Sequence, residues 1–348
     1  MDVRTEQYIA LMPGLSKQGA RRASLMPMSD RSVTKSTFGS SAYGGDGWSP
    51  RVVPHAAEIG AVWTGYGVGA EWTRLRAVLL HRPGEELAAS ADPRGVQMLA
   101  PLDLKRAQAQ HDGIAEAYRK AGVEVHHVAP AEAPPPNQMF CADLMFMTPG
   151  GVVLARPAST VRAGEERRVA ARLAALGVPI LMTMQGTATF EGADAMWLDA
   201  RTVLVGRGLR TNDAGIRQLA QCLAEQGAAA VAVDLPYGTM HLMGMLRVAD
   251  KDLAIAWPRR TPHAAVAALR ERGFAVAFLP DQEEAQANRA LNFVTLGPRR
   301  ILMVGGNPAT QAFYEHLGIA VTAVPTDELA KAAGAIGCLT GVLARDSA

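Results

Sequence analysis

The stretch AMWLDARTVLVGRGLRTNDAGIRQLAQCLAEQGAAAVAV, residues 195–233, carries the pattern that decides the fold. It holds two short apolar runs, a helix-like stretch and a third apolar run, at residues 195–198, 202–205, 213–226 and 229–233. The triplet DAR at 199–201 between the first two runs is typical of a hairpin turn. The helix-like stretch has apolar residues at helical spacing and is followed by Gly227, a typical helix stop. This segment therefore predicts one unit of the order hairpin, helix, strand.

The same order recurs along most of the chain. The openings of the five predicted units lie at residues 75–83, 144–148, 195–198, 242–248 and 292–296, and their helices end near Gly122, Gly177, Gly227, Gly273 and Gly318. Successive units begin roughly 47–70 residues apart, a period typical of radial or linear arrays. One such unit cannot bury both of its faces alone, whereas five around an axis can. The repeat thus predicts a five-unit α/β propeller with a central cavity. An ordinary open α/β sheet is the alternative, but it does not account for the hairpins.

Composition excludes several classes of function. The chain has 348 residues, of which 49% are hydrophobic and 20% are charged, and its formal net charge is +2. Because basic and acidic residues are nearly equal in number, electrostatics gives no reason to expect nucleic acid or an anionic membrane as a partner. Three cysteines cannot form a disulfide framework, and a reducing cytoplasm is the simplest compartment. No apolar run approaches the roughly 18 residues of a membrane span, and the N-terminus is a poor secretory signal.

The first 70 residues differ from the rest, since 14–50 are rich in Ser, Gly, Arg and Lys. We therefore expect two parts, an N-terminal extension at 1–70 with little regular structure and a catalytic α/β propeller domain at 71–348. A disordered tail is one interpretation of the extension. An ordered arm that covers a site or a subunit contact is the other.

Ionisable side chains stand at the unit openings. Asp143 directly precedes the second unit, Glu191 and Asp194 precede the third, and His241 precedes the fourth. Cys338 follows the last unit in the glycine-rich segment GAIGCLTG, residues 334–341. Taken singly, Asp143 and Asp194 are explained as caps or turn residues and Glu191 as a solvated carboxylate. His241 is explained as a core histidine and Cys338 as a buried thiol. Their matching positions in successive units favour convergence on one cavity.

Together these groups could perform nucleophilic chemistry. A thiolate attacks an electron-poor carbon, an imidazole protonates the leaving amine, and a carboxylate orients the imidazole. The surrounding acids suit a cationic substrate such as a guanidinium, whose charge favours the thiolate once bound. Arg210 and Arg162 could bind a carboxylate at the other end of that substrate. A surface ion pair is the alternative for each arginine.

The chain resembles the guanidine-modifying superfamily with the pentein fold, which comprises arginine deiminases, dimethylarginine dimethylaminohydrolases and amidinotransferases. The resemblance covers about residues 72–345. It rests on six short segments: LRAVLLHRPG at 75–84, FCAD at 140–143, FEGAD at 190–194, GLRTN at 208–212, MHL at 240–242 and GCLT at 337–340. Each segment is weak alone, but their order and their registration with the five units make the set specific.

The resemblance implies a role for each matching residue. Cys338 would attack the guanidine carbon, His241 would act as general acid and then base, and Glu191 would orient His241. Asp143 would hold the guanidinium and Arg210 a substrate carboxylate. With them, Asp194, Arg162 and Met243 complete the expected substrate-binding set. Neither a metal nor an organic cofactor is expected.

Met243 departs from part of that superfamily. Arginine deiminases and amidinotransferases have an aspartate two residues after the histidine, where this chain has Met243. Loss of one charge-assisted contact weakens guanidinium binding by about 1.5–3 kcal/mol. The dimethylarginine hydrolases also lack that aspartate. The position therefore argues against plain arginine deimination and leaves room for a substituted guanidine.

The sequence as a whole predicts a cysteine-dependent hydrolase that cleaves a C–N bond of an arginine-derived or related guanidino compound. It would form an amidino-thioether and release a ureido product and an amine or ammonia. An amidinotransferase is the alternative, in which an amine replaces water. A non-catalytic binding protein on the same fold is the alternative of another class. The expected partner is a small guanidino molecule carrying a carboxylate, with neither nucleic acid nor membrane, and a homo-oligomer stays open.

Overall fold

The computed structural model describes residues 37–88, 92–280 and 282–348. It divides into two compact units, with the division between residues 52 and 53. In the first unit, the described residues form two short 3₁₀ turns, Thr37–Gly39 and Ser41–Tyr43.

The second unit contains the strands and α-helices. The described strands are β1 Leu75–Leu80, β2 Glu124–His127, β3 Met145–Thr148, β4 Gly151–Leu154, β5 Ile180–Thr183, β6 Ala195–Asp199, β7 Thr202–Arg207, β8 Ala229–Asp234, β9 Leu246–Asp250, β10 Leu253–Ala256, β11 Ala275–Phe278, β12 Val294–Gly297, β13 Arg300–Val304, β14 Ala320–Val324 and β15 Gly341–Arg345. The described helices are α1 His55–Glu58, α2 Leu104–Lys120, α3 Cys141–Leu144, α4 Glu165–Ala175, α5 Asp213–Ala224, α6 His263–Glu271, α7 Gln282–Ala287, α8 Pro308–His316 and α9 Ile336–Leu339.

Across the described ranges these strands form five three-stranded sheets of identical topology. In each sheet the central strand pairs antiparallel with one neighbour and parallel with the other, as β7 does with β6 and β8. In four of these five sheets the antiparallel pair is the predicted hairpin, and in all five the parallel strand follows the helix. The five-unit α/β propeller is thereby confirmed.

The first unit differs from the sequence-based expectation in its hairpin partner. β1 pairs antiparallel with β15, the strand that follows Cys338, and parallel with β2. The last strand of the chain thus completes the first sheet. This pairing fixes the segment that carries Cys338 between the fifth unit and the first.

The opening of the fourth unit was predicted as a strand at 242–248, and this prediction was wrong by four residues. Leu242–Gly244 is a 3₁₀ turn, and β9 begins at Leu246. The Leu242 amide donates to Asp194 Oδ1 at 3.0 Å, and the Gly244 amide donates to the carbonyl of His241 at 3.1 Å. One of these bonds is local and the other joins the turn to a residue 48 positions earlier, and together they bend the chain before the strand begins.

The predicted helix stops are confirmed by backbone conformation. Gly122, Gly177, Gly227, Gly273 and Gly318 all have φ between 73° and 83°. That left-handed conformation ends a helix at little cost only for glycine. Two helices begin with a side-chain cap, since Asp103 Oδ1 accepts from the Arg106 amide at 3.0 Å ahead of α2 and Asn212 Oδ1 accepts from the Gly215 amide at 2.9 Å ahead of α5.

The strand that follows the helix is the most exposed strand of its sheet. Every residue of β4 and β10 is buried, whereas β5 and β11 are partly exposed. Part of the chain ahead of residue 71 also packs here, since the His55 ring bonds the carbonyl of Gly150 at 2.7 Å and Val68 is buried. A domain boundary near residue 70 stays a prediction. Within the described residues, the helices are too short or too polar to cross a bilayer.

Candidate active site

Short helical turns at the unit openings position the candidate residues. Asp143 lies in α3, Asp194 ends the turn Gly192–Asp194, His241 precedes the turn Leu242–Gly244, and Cys338 lies in α9. Each turn directly precedes the first strand of a unit, so it faces the shared interior rather than the outer edge. Asp143, His241, Cys338, Arg162 and Arg210 line one pocket, together with Phe140 and Gly334.

His241 and Glu191 form the closest contact of the site. Nε2 of the imidazole lies 2.6 Å from Glu191 Oε2, and Nδ1 lies 3.9 Å from Asp143 Oδ1. Burial alone would lower the pKa of His241, but Asp143, Glu191 and Asp194 outweigh it and raise the pKa to about 9. The ring is therefore an imidazolium at neutral pH, and Nδ1 is the nitrogen left for a substrate.

Glu191 is fully buried and held from several sides. Its Oε1 accepts from the Ala158 amide at 3.1 Å and from Arg210 Nη1 at 3.3 Å. Burial alone would raise the pKa of Glu191, but His241, with Arg162 and Arg210, lowers it to about 2. The carboxylate thus stays ionised and fixes the orientation of the ring.

Arg162 lines the pocket as predicted for a substrate-binding residue, and it is also paired with three carboxylates. Its guanidinium is buried and bonds Asp143 Oδ2 at 2.7 Å, Glu165 Oε2 at 2.8 Å and Glu191 Oε2 at 3.4 Å. Burial by itself would lower the pKa of Arg162, but the charges of these three carboxylates outweigh burial and raise the pKa above its ordinary value. Four of its five N–H groups donate in these contacts, one of them from Nε to Glu165, and binding of a substrate carboxylate by Arg162 stays a prediction. Among the residues that the structure describes, Asp143 Oδ1 has no hydrogen-bond partner, which leaves it for a substrate N–H.

Asp194 lies beneath the pocket rather than at its wall. Its carboxylate accepts from Thr211 Oγ1 at 2.7 Å and from the Leu242 amide at 3.0 Å, and burial raises its pKa to about 6. Both oxygens are occupied by these bonds. The geometry therefore favours a role in holding the turn after His241 over the predicted contact with substrate.

Asn292 is the residue that sequence reasoning missed. Its Nδ2 lies 3.1 Å from Cys338 Sγ, and its Oδ1 accepts from the Gly337 amide at 2.7 Å. The signal was present, because Asn292 opens the fifth unit just as His241 opens the fourth. Burial raises the pKa of the Cys338 thiol, and the charge of Asp143 adds to it, while the bond from Asn292 opposes both. Cys338 is thus a thiol at rest, and Asn292 favours its ionised form.

Replacing Asn292 with alanine should slow alkylation of Cys338. One hydrogen bond to the sulfur contributes about 0.5–1.5 kcal/mol, which corresponds to a few-fold to tenfold lower thiolate population. The pH dependence of iodoacetamide labelling measures this, and the apparent thiol pKa should rise. Asn288→Ala, at an exposed position nearby, is the matched control. An unchanged labelling profile in Asn292→Ala would contradict the role given to Asn292.

Among the residues that the structure describes, one group of ionisable side chains is compact enough for a metal ion. Ligand atoms of Asp143, Glu191 and His241 lie within 4.8 Å of one another. Arg162 already places a cation against two of these carboxylates, and His241 is itself protonated. Arg162 and His241 therefore already supply the positive charge that a metal ion would bring to these carboxylates.

Met243 borders Cys338 on the side away from Asp143. Its Sδ lies 4.0 Å from Cys338 Sγ, and it lines a second pocket next to the first. An apolar side chain therefore lies beside the sulfur at this position. Chemically, the site offers a nucleophile, a positioned proton donor and one free buried carboxylate oxygen.

Comparison with known proteins gives a consistent set. A family model described as "Arginine deiminase" matches residues 132–268 and 259–345. The N(G),N(G)-dimethylarginine dimethylaminohydrolase of Streptomyces coelicolor is 30% identical over 239 residues, which are 69% of this chain and 86% of that protein.

Two solved structures resemble the fold. Dimethylarginine dimethylaminohydrolase from Pseudomonas aeruginosa, a cysteine-to-serine mutant in complex with citrulline, superposes with a TM-score of 0.64 at 21% identity and covers 77% of this chain and 98% of its own. SxtG, an amidinotransferase from Microseira wollei, superposes with a TM-score of 0.66 at 14% identity and covers 82% of this chain and 98% of its own.

Proposed function

The chain belongs to the arginine deiminase family and is a guanidine-modifying enzyme; from that premise we propose that it is a cysteine-dependent hydrolase. It cleaves a C–N bond of an arginine-derived or related guanidino compound and releases a ureido product. The single observation that carries the proposal is the pocket shared by Cys338, His241 and Asp143, with Glu191 2.6 Å behind the imidazole.

Binding and ionisation come first in the proposed reaction. The free Oδ1 of Asp143 accepts an N–H of the guanidinium, and the substrate's positive charge lowers the cost of ionising Cys338, whose proton leaves to solvent. This order suits a thiol whose own pKa is raised in the empty pocket. The substrate thereby generates the nucleophile that attacks it.

Two steps at the guanidine carbon follow. Sγ of Cys338 bonds to that carbon, and the departing nitrogen takes the proton of His241 Nδ1 as its C–N bond breaks. The amidino-thioether that remains is attacked by a water molecule whose proton passes to the now neutral His241. The C–S bond then breaks, and the thiolate and imidazolium are restored. Glu191 keeps the ring in position throughout.

Amidino transfer is the second candidate. The likeness to SxtG and the open second pocket beside Cys338 support it, because an amine could approach the thioether there in place of water. Met243, where the transferases that the sequence resembles have an aspartate, favours hydrolysis of a substituted guanidine. The substrate is small and carries a guanidino group.

A panel of guanidino compounds tests the proposal. Arginine, methylated arginines, agmatine and a simple alkylguanidine are incubated with the protein, and ureido product, ammonia and amine are quantified. We expect a ureido product and its amine in equal amounts from at least one compound. Added amines should not divert the product; an amidino product in their presence would instead establish transfer.

A thiol-reactive probe separates the enzyme from a binding protein on the same fold. Cys338 should react faster than Cys141 and Cys222, and guanidino ligands should slow that reaction. Absence of turnover across the panel, together with equally slow labelling of all three cysteines, would refute the enzymatic proposal.

A further inference from the structure

A further cavity lies against the backbone of the nucleophile segment, and we call it the two-arginine cavity. It is lined by Gly337, the residue before Cys338, and by Arg247, Arg345 and Glu71, among others. Its volume is about 70 Å³. Since one water needs about 10–15 Å³ of such space, the cavity has room for a few waters or one small ion and is too small for a substrate.

Arg345 is buried in this cavity wall with part of its guanidinium unsatisfied. Its Nη1 donates to the carbonyl of Thr73 at 2.6 Å, whereas its Nε has no hydrogen-bond partner among the residues that the structure describes. Burial lowers the pKa of Arg345, and the charge of Glu71 opposes this. Arginine stays protonated even so, because its ordinary pKa is far above neutrality. A buried N–H without an acceptor costs free energy that a bound acceptor would recover.

Arg247 lies between the two-arginine cavity and the nucleophile segment. Its Nη2 donates to the carbonyl of Phe293, and its guanidinium lies over the Phe293 ring at 5.6 Å from the ring centre. A Cβ at position 337 would lie 2.5 Å from the same Nη2, so the guanidinium packs against Gly337 and only glycine fits there. Burial lowers the pKa of Arg247 as well, and the charge of Glu71 again opposes it.

The charges in the wall of this cavity do not balance. Among the described residues that line it, Glu71 is the single acid, set against the two guanidinium groups. Within the same described ranges, Glu71 forms an ion pair with neither arginine, and its Oε1 accepts instead from the Trp197 amide at 3.3 Å. Water could satisfy an N–H but would leave one positive charge uncompensated, and buried charges are normally paired. One small anion meets both needs.

We propose that the two-arginine cavity binds one small monovalent anion, such as chloride, between Arg247 and Arg345, and that this anion reduces the reactivity of Cys338. The second part follows from the position of Arg247 against Gly337. The charge of Arg247 favours the thiolate of Cys338, and a bound anion offsets that charge. The inference concerns a site that the substrate does not enter, so it does not depend on the proposed function.

Bromide locates the anion directly. Bromide replaces chloride in most halide sites, and anomalous diffraction from crystals of the unaltered chain in a bromide salt identifies it. We expect a peak inside the two-arginine cavity, in contact with both guanidinium groups. Water without anomalous signal at that place would overturn the site.

Thermal unfolding tests the same site in solution. Sodium chloride is compared with sodium gluconate at equal ionic strength, because gluconate is too large for the cavity. An anion that binds only the folded protein raises the thermal midpoint as its concentration rises, and we expect a gain of a few degrees in chloride alone. Arg345→Met should lose this gain, whereas Arg300→Met, at an exposed position in β13, should keep it. Equal midpoints in the two salts would overturn the site, and this comparison needs no variant to fold.

Alkylation by neutral iodoacetamide tests the effect on the nucleophile. Labelling of Cys338 in the unaltered protein, followed by peptide mass spectrometry, should be a few-fold slower in chloride than in gluconate. Arg345→Met should remove the difference, since it disables the anion site and leaves Arg247 in place. Equal labelling rates in the two salts would overturn the effect on Cys338, as would a difference that persists in Arg345→Met.

Discussion

Replacing Cys338 by serine should abolish turnover while leaving the fold intact. A serine hydroxyl at this position ionises far less readily than a thiol and is a weak nucleophile without a base that contacts it directly. His241 is already protonated and cannot serve as that base in the resting state. We expect kcat to fall by on the order of 10⁴-fold or more. Steady-state release of ureido product, with an assay sensitive to slow turnover, measures this.

The fold should survive the change because oxygen replaces sulfur at little steric cost. Asn292 can donate to the hydroxyl as it does to the thiol, and Gly337 remains bonded to Asn292. The thermal midpoint should therefore move by no more than a few degrees. Cys222→Ser, in α5 and outside both pockets beside Cys338, is the control and should keep full activity. Substantial turnover by Cys338→Ser would remove the thiol from the mechanism.

Replacing His241 by glutamine should lower kcat by about 10²- to 10⁴-fold, the range typical of a lost general acid or base. Glutamine retains polarity and size but cannot donate the proton that the departing nitrogen needs. With substrate bound, the unaltered protein should lose activity as pH rises through about 9, where His241 loses its proton. The alkaline fall should be absent from His241→Gln.

Glu191→Gln is the companion variant that assigns the alkaline limb. The Glu191 carboxylate helps to raise the pKa of His241, so a neutral amide should move that limb to lower pH. The same sign governs stability. Because the folded-state pKa of His241 is above its ordinary value, the contribution of His241 to stability is present below about pH 6.5 and is lost as pH rises through about 9. If Glu191→Gln leaves the limb in place, that limb belongs to another group.

The sequence by itself determined the architecture. Hairpin turns, apolar spacing and the five glycine stops are local signals, and each depends on residues close together in the chain. That is why the five units, and the positions of Asp143, Glu191 and His241 at their openings, could be predicted. The strand at the fourth unit was misplaced by four residues because its turn is set by Asp194, nearly fifty residues earlier.

Tertiary structure alone decided which side chains meet. The pairing of β15 with β1, the contact of Asn292 with Cys338 and the burial of Arg162 among three carboxylates all join residues that are distant in sequence or in different elements. An arginine either binds a substrate or is neutralised by a neighbouring carboxylate, and differences of a few ångströms decide which. The reason is that the energy of a charge–charge contact depends directly on the distance. Composition and spacing carry no record of such distances, so the pairing of Arg162 with three carboxylates emerges only when the chain is folded.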